Sequence, residues 1–160
     1  MTIIEPNDAL GYYFSGLTDG EGCFSVNFKD PTVVQTIRIK FILALRYDDL
    51  PILEQLRDTL GCGVIKIISR NPSIHPNSRP TARFYVNKFS DIIGKVIPFF
   101  EKYPLRAKKK KDYGYWKEIC LIRQSGQAKS PEGFKRILSI LSEWDNSKGP
   151  RRKNLPVPPV

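Results

Sequence analysis

The chain of 160 residues has a single histidine, His75, and three cysteines, Cys23, Cys62 and Cys120, none of which form a Cys-x-x-Cys pair. This inventory excludes a zinc site, a pair of catalytic histidines and a histidine-based metal finger nuclease. Three widely spaced cysteines are expected to be reduced and mostly buried. Any metal ion bound here must therefore be a hard cation that is held by oxygen atoms.

Long apolar runs are also missing from the sequence. No stretch approaches the roughly eighteen consecutive apolar residues of a transmembrane helix, so no membrane partner is expected. The first eight residues, MTIIEPND, contain no basic segment followed by an apolar one, so they do not resemble a signal peptide. The sequence therefore predicts an intracellular protein.

Acidic residues are scarce, with 16 Asp and Glu against 26 Lys and Arg and a net charge of +10. Such an excess indicates a polyanionic partner, and nucleic acid is the first candidate. An anionic membrane surface would require a basic amphipathic helix with exposed apolar residues, and none is found. A basic structural protein, such as a ribosomal component, remains an alternative at this point.

The periodicity of apolar residues predicts the order α-β-β-α-β-β-α followed by two further helices. The predicted strands cover residues 23–29, 35–45, 63–70 and 81–87. The predicted helices include 9–18, capped by Asn7 or Asp8, one that starts at Asp48-Asp49-Leu50-Pro51 with an acidic cap and is ended by Gly61, and one that begins at Ser90-Asp91 and ends near Tyr103. Ser130-Pro131-Glu132 opens the final helix, and Trp116 and Trp144 are expected to pack in the core. Four antiparallel strands with helices on one face make an α+β fold. We expect one domain over residues 1–147 and a loosely ordered, basic, Pro-rich tail over 148–160.

One face of the predicted sheet is rich in Lys, Arg, Asn and Tyr. A twisted antiparallel sheet with such side chains fits the major groove of DNA, where Arg and Lys bind guanine and Asn binds adenine. A merely solvated sheet face is the alternative. The predicted DNA-binding residues are Ser25, Asn27, Lys29, Arg38, Lys40, Lys66, Ile68, Arg70, Arg83, Tyr85 and Asn87.

The most informative segment is Phe14–Gly22, FSGLTDGEG, in which Asp19 and Glu21 stand among three glycines. The segment ends a predicted helix and starts a strand, which fixes both carboxylates on the fold. Acids at a helix C-terminus are disfavoured by the helix dipole, which argues for a functional use. An ordinary acidic turn or a loose calcium loop is the alternative, although the spacing of an EF-hand is not met.

Gly16 and Gly20 lie four residues apart and therefore on one helix face. Each glycine costs a helix roughly 1 kcal/mol relative to alanine. The close approach of a second helix backbone is the usual compensation.

The chain resembles a single-motif LAGLIDADG homing endonuclease. The resemblance begins with Phe14–Gly22 followed by Cys23-Phe24-Ser25-Val26. It continues with Pro51-Ile52-Leu53 into residues 60–65, and with residues 99–105 followed by Lys109 and Asp112-Tyr113. It covers about residues 9–125.

The resemblance implies a homodimeric enzyme that cleaves double-stranded DNA at a long pseudo-palindromic target and leaves short 3′ overhangs. It implies Mg²⁺ as the cofactor, with Mn²⁺ or Ca²⁺ as substitutes for binding. Membership of the family also allows an RNA maturase that binds its host intron without cleaving DNA, or a transcription regulator. Genes of this family are commonly found in mobile introns of organelles, so the resemblance favours a mitochondrial or chloroplast location.

The resemblance also assigns roles to residues. Glu21 is the implied metal ligand, with the backbone carbonyl of Gly20 as second ligand and Asp19 as second choice. Lys109 is the implied active-site lysine, with Lys108 and Lys110 as alternatives within the run Lys108–Lys111. Arg46 is a further catalytic candidate at the end of the second strand, where some relatives have Gln or Arg. The implied dimer interface comprises Ser15, Gly16 and Gly20.

Overall fold

A computed structural model describes residues 7–30 and 32–149 and has the predicted α+β architecture. The helices are α1 (Asn7–Glu21), α2 (Leu50–Leu60), α3 (Phe89–Asp91), α4 (Ile97–Lys102), α5 (Lys109–Gln124) and α6 (Pro131–Ser147). The strands are β1 (Gly22–Phe28), β2 (Ile37–Arg46), β3 (Val64–Ile68) and β4 (Thr81–Val86). Within the described residues no helix combines the length and the hydropathy that crossing a bilayer requires.

The four strands form one antiparallel sheet in the order β1-β2-β4-β3. The alternation of side chains divides the sheet into two faces, as the sequence predicts. The inner face carries the apolar residues, and the helices cover it. We call the opposite side the outer face, and its strand residues are paired by the register, for example Asn27 with Arg38 and Lys66 with Arg83.

Aromatic side chains dominate the core between the inner face and the helices. Phe24 lies 5.4 Å from Phe41, 5.5 Å from Phe100 and 5.0 Å from Trp116, measured between ring centroids. Burying one such side chain stabilises the fold by about 1.5–3 kcal/mol. Trp116 and Trp144 are both buried, which confirms their predicted packing role. In the described part of the chain, the helices cover the inner face of the sheet and leave the outer face exposed.

Helix α1 is longer than the prediction of residues 9–18, because it continues to Glu21 and β1 starts at the next residue. Gly22 makes this junction possible, since a Cβ atom there would lie 2.5 Å from Cγ2 and 2.8 Å from the carbonyl oxygen of Thr18. The predicted cap by Asn7 or Asp8 is corrected, because α1 already includes both residues. The Asp8 carboxylate instead accepts a hydrogen bond from the Tyr103 hydroxyl at 2.6 Å.

The helix predicted from Ser90-Asp91 to Tyr103 is interrupted. It begins at Phe89 with no side-chain cap, and a π turn at Ile92–Val96 separates α3 from α4. Pro98 follows this turn and has no N–H to donate to the carbonyl of Gly94, which explains why a regular helix is not continued.

Other predicted boundaries are confirmed, with small corrections. Gly61 ends α2 with φ of 68°, although the predicted acidic cap of α2 is wrong because Asp49 makes no side-chain cap bond. Ser130 caps α6 by accepting the N–H of Gly133 at 3.0 Å. Cys120 is buried and Cys62 is half-buried, but Cys23 is exposed on the outer face, contrary to expectation. The predicted tail from residue 150 onward lies outside the described residues.

Candidate nucleic-acid interface and metal site

Glu21 is the last residue of α1, and its side chain is exposed. Within the described part of the chain, no side-chain hydrogen bond or ion pair engages its carboxylate. The last four carbonyl groups of a helix have no partner inside the helix, and the carbonyl of Gly20 is one of them. The end of α1 therefore offers a carboxylate and a carbonyl oxygen, the donor types that Mg²⁺ and Ca²⁺ prefer.

Asp19 stands two residues earlier but is engaged differently. Its two carboxylate oxygens accept the backbone N–H groups of Arg106, at 3.0 Å, and Ala107, at 3.1 Å. These residues lie three and two positions before α5, which begins at Lys109. Asp19 thus links the segment before α5 to the end of α1, and both of its carboxylate oxygens accept hydrogen bonds from backbone N–H groups.

The lysine run lies at this same junction. Lys109 is the first residue of α5 and is half-buried, whereas Lys108, Lys110 and Lys111 are exposed. Because Asp19 holds residues 106 and 107, the lysines that follow are brought to the end of α1 that bears Glu21. The assignment of Lys109 to the active site stays a prediction.

The outer face is basic. The four strands contain five Lys or Arg residues and no Asp or Glu, and all five cations lie on the outer face: Arg38, Lys40, Arg46, Lys66 and Arg83. The Lys66 ammonium lies 5.6 Å from the centre of the Tyr85 ring, and Asn27 donates to the Ser25 hydroxyl at 2.9 Å. No acid on the strands neutralises this surface.

The structure brings most of the predicted DNA-binding residues onto this face. The residues within the strands are Ser25, Asn27, Arg38, Lys40, Lys66, Ile68, Arg83 and Tyr85. Lys29, Arg70 and Asn87 lie just beyond the ends of β1, β3 and β4, because these strands are shorter than predicted. Arg46 ends β2 opposite Thr81. Cys23 and Thr81 also lie on this face, where the same period-two alternation places them, although neither is among the predicted DNA-binding residues.

The predicted dimer residues divide between two sides of α1. A Cβ atom at Gly16 or Gly20 would meet no other atom within 4 Å, so both glycines present an open surface. Tyr12 and Tyr13 on the same helix are 56% and 50% exposed. Ser15 is instead buried, and its hydroxyl donates to the carbonyl of Tyr103. Its side chain therefore lies inside the chain and not on the face that the glycines share.

The acidic groups of the described residues do not form a metal cluster. Among residues 7–30 and 32–149, no three His, Cys, Asp or Glu side chains come together in a way that could hold an ion. Glu21 and the Gly20 carbonyl fit a hard cation in chemical type.

Known proteins share this architecture and motif. The family model described as LAGLIDADG endonuclease matches residues 14–120. A protein of Neurospora crassa named "Probable intron-encoded endonuclease 2" is 25% identical over 81% of this chain and 26% of its own length. A Mycosarcoma maydis protein named "Probable intron-encoded DNA endonuclease 1" is 29% identical over 63% of this chain and 33% of its own length. The chain thus spans about a quarter to a third of these curated relatives.

Solved structures of endonucleases also resemble this chain. The meganuclease I-SmaMI bound to cleaved DNA has a TM-score of 0.71 and 29% identity, covering 91% of this chain and 45% of its own. I-SmaMI on uncleaved DNA in the presence of calcium ions has a TM-score of 0.71 and 31% identity, covering 81% of this chain and 42% of its own. Since the family match covers well over half of the sequence, the chain belongs to the LAGLIDADG endonuclease family.

Proposed function

We propose that this chain is the DNA-cleaving module of a homing endonuclease that hydrolyses both strands of a specific duplex site. One observation carries the proposal: within the described residues the Glu21 carboxylate at the end of α1 has no side-chain partner, and the basic outer face beside it has no acid on its strands. The relatives' names and the DNA in the I-SmaMI structures support it.

The outer face binds the duplex in this proposal. Arg38, Lys40, Lys66 and Arg83 neutralise phosphates or bind guanine edges, and Asn27 is suited to adenine. Each module covers about one helical turn, roughly 10 base pairs. Its strong positive charge predicts an affinity that falls with salt.

In this proposal Glu21 and the Gly20 carbonyl would hold a divalent cation, Mg²⁺ in the cell. When bound, it would supply Lewis acidity at the phosphodiester and favour ionisation of the attacking water. Lys109 then neutralises charge that develops on the phosphate, with Lys108 or Lys110 as alternatives, and Arg46 adds positive charge from the end of β2. Asp19 holds the start of α5 in place.

Cleavage of both DNA strands requires two active sites, whereas one copy of the chain supplies one Glu21. We propose that a second copy packs on the open face of α1 at Gly16 and Gly20, forming a two-fold homodimer on a pseudo-palindromic target. Solved relatives are more than twice as long as the matched part, so a longer polypeptide with a second module is the other source of that copy. Either arrangement places two Glu21-type carboxylates near one axis, and cleavage leaves short 3′ overhangs.

The fungal relatives are named as intron-encoded, which supports an origin in a mobile intron and a location in mitochondria or another organelle. A maturase of the same family is the second candidate for function. A chain that only binds RNA has no chemical need for an unpaired carboxylate at the end of α1, which favours the nuclease.

The test is a cleavage selection on a plasmid library with and without Mg²⁺. We expect one sequence class to be cut only with the metal ion. Glu21→Gln should abolish cutting and keep binding, because the amide keeps the size of the side chain but not its charge. Glu54→Gln is the control, since Glu54 is also exposed and lies on α2.

Three outcomes would contradict the proposal. A Glu21→Gln variant that still cuts would overturn the metal assignment. No cleaved sequence from a folded chain that binds structured intron RNA more tightly than duplex DNA would favour the maturase. Binding of every duplex alike, without cutting, would favour a basic structural protein.

A further inference from the structure

A row of four uncharged side chains crosses the outer face from one edge of the sheet to the other. The strand register pairs Cys23 with Ile42, Ile42 with Tyr85, and Tyr85 with Val64. Residues paired in this way point to the same side of an antiparallel sheet, so the four side chains lie next to one another. Neighbouring strands are about 4.8 Å apart, which makes the row roughly 14 Å long. We call these four residues the apolar row.

The apolar row lies between positions that carry cations. On one side of it, Arg83 is paired with Lys66. On the other side, Lys40 is paired with Ser25. The Lys66 ammonium lies 5.6 Å from the centre of the Tyr85 ring, so the row and the cations form one continuous surface. Such a surface suits a partner in which an apolar group is flanked by negative charge.

The side chains of the apolar row are accessible to a partner. Val64 is 48% exposed and Cys23 is exposed, while Ile42 and Tyr85 are half-buried. Single apolar side chains are ordinary on a protein surface, but a solvated sheet face gives no reason for four of them in line among mostly polar neighbours. Removing this apolar area from water would stabilise a complex.

The apolar row lies towards the end of the outer face that is nearer to Glu21. Cys23 is the first outer-face residue of β1 and the second residue after Glu21. Asn27, which is paired with Arg38, lies four residues further along the strand, at a distance of about 13 Å. In the proposed complex, the row therefore meets bases that are closer to the cut than those met by Asn27 and Arg38.

Thymine is the base whose major-groove edge carries an apolar group, the C5-methyl. Cytosine presents an N4 amino donor there, for which a carboxylate is the usual acceptor, and the apolar row contains no carboxylate. A cytosine at this place would lose water from its donor and gain little in return. The carbon atoms of the row match the methyl group of thymine instead.

We propose that the apolar row selects thymine in the part of each half-site nearer to the cut, by packing against the C5-methyl group. This inference rests on the proposed function, which places the major groove of a duplex on the outer face. It adds to that function the residues that discriminate thymine from the other bases. Ile42, Tyr85 and Val64 supply the main carbon surface, and Cys23 ends the row on the side of Glu21.

The test replaces each thymine of the selected target, one at a time, with deoxyuridine, which lacks only the methyl group. Binding by the full chain is measured with Ca²⁺ in place of Mg²⁺, so that the duplex stays intact. We expect the dissociation constant to rise about fourfold at one or more thymines near the cut, which corresponds to the loss of one buried methyl group. Deoxyuridine in the outer part of the target should leave the dissociation constant unchanged.

Two variants test whether the apolar row causes this effect. Val64→Ala and Ile42→Ala should each bind the thymine target more weakly and should each lose the deoxyuridine penalty at the base that the side chain contacts. Leu121→Ala is the matched control, because Leu121 is 45% exposed, like Val64, but lies on α5. This control should retain the whole penalty.

Three results would overturn this inference while the proposed function stands. They are a selected target without thymine near the cut, equal affinity for every deoxyuridine duplex, and a penalty that persists in both row variants. The first two are obtained with the natural sequence and do not depend on how a variant folds. A natural sequence that binds no duplex would overturn the proposed function, and this inference with it.

Discussion

At the scale of single residues, the two acids of the FSGLTDGEG segment have different surroundings although they are two positions apart. Asp19 accepts two backbone N–H groups from the segment before α5, while Glu21 ends α1 exposed. A carboxylate that satisfies two backbone donors is a structural anchor. A carboxylate at an unfavourable helix end without partners in the described chain is available to a cation.

The anchoring role of Asp19 can be tested by Asp19→Asn. One of the two N–H groups would then face an NH₂ donor instead of an acceptor. We expect the free energy of unfolding in urea to fall by about 1–3 kcal/mol. Asp58→Asn is the control, because Asp58 is exposed and pairs only with its neighbour Arg57, so its change should stay within about 0.5 kcal/mol. Equal stability of the two variants would contradict the anchor.

The three cysteines should react at different rates with a thiol reagent near pH 8, roughly the pKa of a free thiol. Cys23 is exposed and should react first, whereas burial raises the pKa of Cys120 to about 12 and leaves almost no thiolate. Cys62 should be intermediate, because burial raises its pKa too. Cys23→Ser should remove the fast phase, and Cys120 should react only on unfolding. A fast phase that survives Cys23→Ser would contradict this order.

At the scale of elements, the stability of α6 depends on the capping and close packing of its N-terminus. Ser130 supplies the cap, and Gly133 has no room for a side chain, because a Cβ atom there would lie 1.8 Å from the Gln127 carbonyl oxygen. The helix then buries Ile137, Ile140 and Trp144 against the core. Loss of the cap therefore affects the whole domain and not only one turn.

Ser130→Ala should lower the free energy of unfolding by about 1 kcal/mol, the usual value of a lost serine cap. Ser139→Ala is the matched control, because Ser139 is exposed in the middle of the same helix and alanine has the higher helix propensity. Urea denaturation of both variants checks the prediction. If both lose the same stability, the cap is not what stabilises α6.

At the scale of the whole molecule, the open face of α1 determines whether one copy can act alone. Gly16→Leu should keep the chain folded, because a Cβ atom meets nothing within 4 Å and leucine is a better helix former than glycine. The larger side chain should block the approach of a second helix, giving a monomer in sedimentation experiments and a large loss of cleavage.

Gly114→Leu is the control for that experiment. Gly114 is also an exposed helical glycine with open space around it, but it lies on α5. We expect this variant to assemble and to cut like the natural sequence. A Gly16→Leu chain that still sediments as a dimer would show that another surface joins the two copies.

Much of the fold was predictable because its signals are local. Alternation with period two fixed both faces of β2, and the pairs Ser130-Pro131 and Leu60-Gly61 marked helix ends. The outer face followed from the same alternation. The π turn before Pro98 was not predicted, since a widened turn has the same composition as a regular helix.

The sequence indicated which residues form the candidate site, but it did not indicate their hydrogen-bond partners or their burial. The partners of Asp19 lie 87 and 88 residues later in the chain, and no local pattern indicates them. The burial of Ser15 under Tyr103 has the same cause, with 88 residues between the two. Long-range contacts of this kind depend on how the elements pack.

The sequence by itself determined the α+β class, the two faces of the sheet and the placement of the acidic, Gly-rich segment at a helix end. These properties depend on the backbone period and on turn chemistry, which act over a few residues. Only the tertiary structure decided which acid is engaged and that Ser15 faces inward. The reason is physical: burial and hydrogen bonding between distant segments are set when the helices pack on the sheet.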